Sequence, residues 1–299
     1  MKRKSSNEST EKKHKKKKGI KIIDVLCIVL AVALIVGGLF GYIKYNKTHY
    51  KIGFYNVVSS KVNENLRVIF VSDLHLREYG KNNKDLIADI KSLDPDLIIL
   101  GGDLVTYKEK SYQNMLDFCK KLSSIAPLYG VMGNHENEKV YLDNDNDLPN
   151  KFINAGVKLL RNQSETVTIG SNTVEIVGLS GSSQEFDKFG GKEIMDSLPS
   201  EYSGFRICVT HIPIVFKERL QDYSFDLGLA GHVHGGIIRL PVLGAMYSVE
   251  EGFLPEFSSG EYKLENNAPL IISRGLGDSN SVPRINNMPE LVVVDVKKY

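Results

Sequence analysis

Val71-Ser72-Asp73-Leu74-His75 is the stretch on which the fold of this chain depends. The five residues 67–71 are predicted to form a buried β-strand, because four of them are apolar and three of those are β-branched. The strand ends at a carboxylate and an imidazole two residues apart. An Asp oxygen and a His nitrogen that turn toward one point are suitable ligands for a divalent metal ion. A solvated loop is the alternative for an isolated Asp-x-His pair, so the interpretation depends on the rest of the chain.

The same pattern, an apolar strand followed by a residue that can bind metal, recurs along the chain. Further strands are predicted at 96–100, 128–132, 205–210, 226–230, 270–273 and 290–296, and helical patterns separate the earlier ones. The polar residues that follow them are Gly102-Asp103, Gly133-Asn134-His135-Glu136, His211 and Gly231-His232-Val233-His234. Five of the seven histidines therefore occur at predicted strand ends. This alternation indicates a layered α/β architecture with its chemistry at the carboxyl ends of the strands.

Together these blocks resemble the calcineurin-like metallophosphoesterase superfamily, and they occur in the expected order across residues 66–236. The C-terminal part of the chain also resembles a membrane-anchored bacterial branch of that superfamily. The segments that carry this second resemblance are 231–236, 238–241, 273–277, 283–284 and 289–291. The resemblance implies a two-sheet β-sandwich flanked by helices and a metal-dependent phosphoesterase activity.

The resemblance further implies that two divalent metal ions are bound. The first would be held by Asp73, His75, Asp103 and His234. The second would be held by Asp103, Asn134, His211 and His232. A carboxylate shared by both ions offsets the repulsion between two cations that lie about 3.5–4 Å apart. Mixed nitrogen and oxygen ligands favour Mn, Fe or Zn over Mg or Ca.

Three further residues are candidates for contacts with the substrate. The resemblance makes His135 the candidate catalytic residue, which would protonate the leaving oxygen or hold the phosphate; an outer structural role is the alternative. Arg274 and Arg284 are weaker candidates for binding a phosphate through two hydrogen bonds. Surface or salt-bridge roles are equally expected for both arginines.

The first 43 residues are predicted to anchor the chain in a membrane. Residues 1–24 hold ten Lys/Arg against three acidic residues, and residues 25–43 are uncharged and rich in Val, Ile, Leu and Ala. A helix over 25–43 is about 28 Å long, close to the hydrocarbon thickness of a bilayer. We interpret it as an uncleaved transmembrane anchor rather than a core helix or a cleaved signal peptide. The excess of basic residues before it predicts a cytoplasmic tail and an extracytoplasmic catalytic domain.

The remainder of the chain is divided into residues 44–64, a linker and first strand, and residues 65–299, the metallophosphoesterase domain. The formal net charge of the chain is +2, and the basic tail alone carries +7. The rest of the chain is therefore acidic, and no nucleic-acid partner is expected. Of the three cysteines, Cys119 and Cys208 are expected to be single buried thiols, with one disulfide between them as the alternative.

The expected function is hydrolysis of a phosphodiester or pyrophosphate bond in a lipid-linked or envelope metabolite. The alternatives are a phosphomonoesterase or protein phosphatase, and a non-catalytic metal-binding membrane scaffold. The complete set of ligand-type residues, together with His135, favours an enzyme over a scaffold. Substrate specificity is expected to depend on predicted surface loops at 137–149 and 180–204.

Overall fold

The computed structural model describes residues 22–107, 109, 111–142, 144–248, 251–278 and 283–299. The helices are α1 (Ile22–Asn46), α2 (Lys84–Ser92), α3 (Gln113–Leu122), α4 (Asn134–Leu142), α5 (Leu148–Asn154), α6 (Gly191–Ser197) and α7 (Ile214–Arg219). The strands are β1 (Lys51–Ser59), β2 (Leu66–Val71), β3 (Leu97–Leu100), β4 (Leu128–Gly130), β5 (Lys158–Leu159), β6 (Gln163–Ile169), β7 (Asn172–Leu179), β8 (Phe205–Thr210), β9 (Leu227–Ala230), β10 (Arg239–Leu240), β11 (Gly244–Ala245), β12 (Tyr247–Ser248), β13 (Gly252–Phe253), β14 (Gly260–Lys263), β15 (Pro269–Ile272) and β16 (Glu290–Lys298). Short 3-10 helices cover Lys81–Asn83 and His234–Gly236.

The first sheet has the strand order β1-β16-β2-β3-β4-β5. Strands β2 to β5 run parallel to one another, while β16 is antiparallel to β2 and parallel to β1. Both faces of the parallel strands are covered, so these strands are apolar throughout rather than alternating. Strand β3, for example, is Leu-Ile-Ile-Leu and all four side chains are buried.

The second sheet has the strand order β14-β15-β9-β8-β7-β6, and its four inner strands are parallel. It packs face to face against the first sheet. The core between the sheets combines Phe70 and Ile99 of the first sheet with Ile207 and Leu229 of the second. The burial of both inner faces in one apolar layer defines a β-sandwich.

Helices cover the two outer faces of the sandwich. Side chains of α2 and α3, such as Ile90 and Phe118, pack on the outer face of the first sheet. Side chains of α6 and α7, such as Met195 and Phe216, pack on the outer face of the second sheet. The predicted two-sheet β-sandwich flanked by helices is therefore confirmed.

Two segments predicted to be surface loops contain helices. Within 137–149, α4 extends through Leu142 and α5 begins at Leu148; within 180–204, α6 covers Gly191–Ser197. The prediction for α4 was wrong because its first six residues, 134–139, are all polar or charged and show no apolar period. The helix is fixed by its N-terminal residues instead, as described below for Glu136.

The N-terminal helix α1 forms a unit separate from the sandwich, with the division at Tyr42 and Ile43. It has 25 residues, its most apolar window has a mean hydropathy of 2.9, and none of that window is buried. By length and composition α1 can cross a membrane, and the predicted span 25–43 lies within it. Residues 1–21, which make up most of the predicted basic tail, lie outside the described residues.

Candidate metal centre

The loops after β2 and β3 are joined side by side through their backbones. The N–H of Asp73 donates to the carbonyl of Gly102 at 2.9 Å, and the N–H of His75 donates to the carbonyl of Asp103 at 3.0 Å. Positive φ angles, which non-glycine residues rarely adopt, recur among the predicted ligands. They occur at Asp73, His75, Asp103, His232 and His234. Such strained backbone persists where surrounding contacts hold it, and it is typical of functional sites.

One cluster of potential ligands consists of Asp73, His75 and His234, and all three side chains are buried. Nε2 of His75 lies 3.1 Å from Nε2 of His234, which lies 3.7 Å from Oδ1 of Asp73. Burial lowers the pKa of His75 to about 4, so this imidazole is neutral and a nitrogen lone pair is available. The three groups aim at a common point between β2 and the turn after β9.

A second cluster consists of Asp103, His211 and His232. Nε2 of His211 lies 3.2 Å from Oδ2 of Asp103 and 3.2 Å from Nδ1 of His232. Nδ1 of His211 lies 2.8 Å from the carbonyl oxygen of Gly101, to which it donates. Because that bond places a proton on Nδ1, the Nε2 lone pair of a neutral His211 faces the cluster, as metal-binding histidines require.

Asp103 belongs to the second cluster and also lies close to His75 of the first. Its Oδ2 is 3.8 Å from Nε2 of His75 and 3.2 Å from Nε2 of His211. Burial would raise the pKa of Asp103, but His211 and His75 outweigh it and hold that pKa well below its usual range. Burial likewise opposes the charged form of His211, but Asp103 outweighs it and raises the pKa of His211 to about 10. A proton therefore competes with any cation for this nitrogen.

The side chains present fit divalent cations. Oδ1 of Asn134 is buried and has no hydrogen-bond partner, although an amide oxygen of this kind is normally satisfied. Two glycines leave room for the carboxylates: a Cβ at Gly231 would collide with Asp73, and a Cβ at Gly133 would collide with Asp103. A set of carboxylate, amide and imidazole donors with an unsatisfied oxygen is what a transition-metal site needs.

Glu136 is a structural residue of the site whose role the sequence did not reveal. Its carboxylate is buried and accepts the backbone N–H groups of Asp103, Leu104, Val105 and Gly133 at 2.7–3.1 Å. Burial and Asp103 raise the pKa of Glu136 to about 7. The carboxylate thereby fastens the loop after β3 to the start of α4. A Glu one residue after His135 is the only sequence signal, and it does not show which N–H groups the side chain reaches.

His135 lies beside the first cluster and is partly exposed. Its Nδ1 is 3.2 Å from the backbone N–H of Tyr107, and a backbone N–H can only donate. The neutral ring therefore carries its proton on Nε2, which faces Oδ2 of Asp103 at 3.9 Å. The ring is held edge-on to His75 and stacked on Tyr107, with centroid distances of 4.9 and 5.3 Å. This fixed N–H is suited to donating a hydrogen bond that holds a phosphate oxygen.

The two candidate arginines have different environments. Arg284 is buried, and its guanidinium donates to Asp278 at 2.8 Å and to the carbonyl of Gly277 at 2.5 Å. These bonds commit Arg284 to the protein interior and not to a substrate, as expected for a structural role. Arg274 is partly exposed, and its nearest carboxylate, Glu290, lies 3.9 Å from its Nε. Of the two guanidinium groups, only that of Arg274 is partly exposed.

A cleft of about 730 Å³ opens directly beside the second cluster. Asn134 and His211 contribute to its lining, together with the charged residues Arg161, Glu138 and Glu185. Its apolar side chains include Tyr141, Leu142, Ile153 and Phe189. Leu142 is 72% exposed, and Tyr141 stacks in parallel on Phe189 at 6.1 Å. The cleft therefore offers polar groups at the metal ligands and an apolar wall farther out.

A sequence model of the calcineurin-like phosphoesterase family matches residues 66–236, which is more than half of the chain. The protein belongs to this family, and the predicted resemblance is confirmed. Members of the family use divalent metal ions, and the protein is a metal-dependent hydrolase.

Similarity to individual proteins extends beyond the matched region. YpbG of Bacillus subtilis is 27% identical over 278 residues, which cover 93% of this chain and 97% of YpbG. Phosphodiesterase YaeI of Escherichia coli is 28% identical over 239 residues, 77% of this chain and 82% of YaeI. The UDP-2,3-diacylglucosamine pyrophosphatase LpxG of Chlamydia trachomatis is 25% identical over 286 residues, 77% of this chain and 83% of LpxG.

Proposed function

We propose that this protein is a membrane-anchored phosphoesterase with two metal ions that hydrolyses a phosphodiester or pyrophosphate bond in a lipid-linked or envelope metabolite. The observation that carries the proposal is the position of Asp103, whose carboxylate belongs to two adjacent groups of potential ligands, one with His75 and His135 and one with His211 and His232. Two similar proteins support the type of bond, since YaeI is a phosphodiesterase and LpxG is a pyrophosphatase.

We propose that the ligands divide between two ions in the way that the sequence analysis expects. We assign Asp73, His75, Asp103 and His234 to one ion. We assign Asp103, Asn134, His211 and His232 to the other. The four imidazoles favour Mn, Fe or Zn over ions that prefer oxygen alone. When bound, such ions supply a Lewis acid for the phosphoryl oxygens and a hydrolytic nucleophile at neutral pH.

The residues around the ions have distinct roles in this proposal. Asp103 stays ionised between the two clusters, and Glu136 holds its loop against the start of α4. His135 presents its Nε2–H at the edge of the first cluster, where it donates a hydrogen bond that holds the phosphate and stabilises charge on its oxygens. Arg274 is placed to bind a phosphate oxygen. This scheme requires no serine or cysteine nucleophile, because hydrolysis proceeds by direct attack of water on phosphorus.

The cleft beside Asn134 and His211 supports an amphipathic substrate. A phosphate at the metal ligands would place the remainder of the substrate along Tyr141, Leu142 and Phe189. Partly exposed apolar side chains in a cleft are suited to an acyl or prenyl group rather than to a free nucleotide. LpxG, which is named for a diacylated substrate, is consistent with this choice.

The test is a comparison of substrates with the full-length chain in detergent micelles, stripped with a chelator and then supplied with Mn. We expect turnover of bis-p-nitrophenyl phosphate and of CDP-diacylglycerol, a lipid-linked pyrophosphate, only after Mn is added. If p-nitrophenyl phosphate is instead the preferred substrate, the protein is a phosphomonoesterase. Bound Mn without turnover of any of the three would favour the metal-binding scaffold.

Leu142 tests the role of the cleft. Leu142→Ser is expected to raise KM for CDP-diacylglycerol about tenfold and to leave hydrolysis of bis-p-nitrophenyl phosphate unchanged, because one buried apolar side chain contributes that much. Val58→Ser is the matched control, since Val58 is 60% exposed on β1 and outside the cleft. Equal effects of the two variants would exclude an acyl chain at this wall.

We further propose that the N-terminus is cytoplasmic and the catalytic domain extracytoplasmic. The excess of Lys/Arg before residue 25 supports this orientation. Protease is added to cells whose cytoplasmic membrane is intact and whose outer envelope has been made permeable. It should digest the domain after α1 and spare the basic tail. Protection of the domain would place the substrate on the cytoplasmic side.

A further inference from the structure

Two short hairpins follow the metal-site histidines directly and expose apolar side chains. Strands β10 and β11 form the first, and β12 and β13 form the second. The apolar side chains exposed on them, with fractions of 40–105%, are Leu240, Val242, Leu243, Tyr247, Phe253 and Leu254. The nine residues 240–248 contain no charge. An exposed apolar patch of this kind on the surface of a folded domain indicates an interaction site.

Two of the exposed side chains lie on backbone that their residue types rarely adopt. Val242, at the turn of the first hairpin, has φ +69°, and Leu254, at the end of the second, has φ +53°. Glycine or asparagine normally occupies such positions, and a β-branched residue there is strained. Val242 is nevertheless fully exposed. A strained residue of this kind motivates a hypothesis of function, and here the exposed side chain is apolar.

The hairpins are attached rigidly to the turn that carries His234. Arg239 donates to the carbonyl of Gly235 at 2.8 Å, and the backbone N–H of Arg239 donates to the carbonyl of Ile285 at 3.0 Å. A Cβ at Gly236 would collide with Ala245 of β11, which shows how closely the hairpin packs on this turn. Whatever binds the hairpins is therefore held at a fixed distance from the metal ligands.

We propose that these two hairpins, with the described residues 239–248 and 251–254, insert their apolar side chains into the surface of a lipid bilayer. The proposal rests on the anchored, lipid-directed function described above and names the surface that meets the lipid. Only residues 47–50 separate α1 from β1, and four residues span at most about 14 Å. The bilayer is thus the apolar phase within reach of the domain. Tyr247 beside Phe253, with ring centroids 5.5 Å apart, is typical of side chains at a membrane interface.

Insertion of the hairpins gives the active site a defined position relative to its substrate. The first hairpin packs on the turn that carries His234, so insertion of the hairpins would hold this ligand near the lipid headgroups. A lipid-linked phosphate then meets the site at the high concentration of a surface, without additional contacts to the protein. An anchor alone retains the enzyme at the membrane but does not orient its active site.

Tryptophan fluorescence tests the contact directly, because the chain contains no tryptophan. The full-length Phe253→Trp variant is reconstituted in phosphatidylcholine vesicles with and without brominated acyl chains, which quench indole only on contact. Tyr299→Trp is the matched control, since Tyr299 is an exposed aromatic residue at the C-terminus. We expect Phe253→Trp to lose most of its emission in brominated lipid and Tyr299→Trp to retain it. Equal emission of the two variants, quenched or not, overturns the proposal.

A second variant separates this contact from catalysis. The double substitution Val242→Asp, Phe253→Asp should lower hydrolysis of vesicle-embedded CDP-diacylglycerol about tenfold or more, with bis-p-nitrophenyl phosphate turnover unchanged. Unaltered hydrolysis of the embedded substrate would overturn the proposal even if the tryptophan is quenched. If the parent chain hydrolyses neither substrate while Phe253→Trp is quenched, the proposed function fails and the lipid contact stands.

Discussion

The guanidinium of Arg284 holds His234 in place: Nη1 donates to the carbonyl of His234 at 3.3 Å, and Nη2 lies 3.0 Å from Nδ1 of its ring. Ligation through Nε2 requires the ring proton on Nδ1, so the contact to the carbonyl is the one compatible with a bound cation. Arg284 is itself oriented by Asp278. The buried guanidinium of Arg284 thus positions the neutral imidazole of His234, which we assign as a metal ligand. Burial lowers the pKa of that imidazole well below its usual value.

Arg284→Lys is therefore expected to weaken metal binding about 10–100-fold, as loss of an outer partner of a ligand usually does. The measurement is metal content by mass spectrometry after dialysis against graded chelator. Arg274→Lys is the matched comparison and should retain the metals while raising KM for bis-p-nitrophenyl phosphate. A loss of metal in Arg274→Lys but not in Arg284→Lys would contradict both assignments.

Asp103→Asn should be the most damaging single substitution at the site. It removes the negative charge that both ligand clusters share, so metal content and hydrolysis should fall together by more than about 100-fold, the upper end of the range for outer partners. Asp117→Asn on α3 provides a control with the same chemical change at an exposed position. Near-normal activity of Asp103→Asn would rule out a mechanism with a bridging carboxylate.

His135→Ala should lower kcat about 10²–10³-fold, the usual cost of removing a fixed hydrogen-bond donor to the reacting group, and leave most of the metal bound. The result is expected because Nε2–H of His135 faces the site while Nδ1 is occupied by the N–H of Tyr107. Metal content and kcat are measured on the same preparation. If the variant loses its metals, His135 has a structural role.

Cys119 and Cys208 should be unreactive in the folded protein. Both are free and buried, and burial raises the pKa of each thiol well above its usual value. N-ethylmaleimide should modify two more cysteines after unfolding in guanidinium than before, as counted by intact mass. Absence of this increase without a reductant would indicate a disulfide between them.

Much of the site could be predicted because its residues follow parallel strands. Strands β2, β3, β4, β8 and β9 end at one edge of the sandwich, so residues as distant in sequence as Asp73 and His234 meet there. The strands themselves are mostly apolar runs of three to six residues whose ends are visible in the sequence. Residues that follow the ends of these strands in the sequence could therefore be predicted to lie close together in the structure.

Other features depend on tertiary contacts that leave no local pattern. Glu136 binds backbone N–H groups, which every residue has, and nothing in the sequence identifies the ones it reaches. Arg274 and Arg284 looked alike as isolated cations, and only burial distinguishes them. Val242 has a positive φ, which valine rarely adopts, so residue preferences could not predict the backbone of this turn.

The place of β16 in the first sheet sets the order in which the domain can be completed. This strand pairs with β1 on one side and β2 on the other, so residues 290–298 fill a slot between two strands that lie far from them in sequence. Without residues 290–298, β1 has no neighbour in the sheet and the strand that leads to Asp73 has an open edge. Pairing between segments this far apart in sequence is slow, so β16 is expected to join the sheet late in folding. The strand that carries Asp73 thus gains its second neighbour only when this distant segment docks, and hydrolytic activity should appear no earlier than that step.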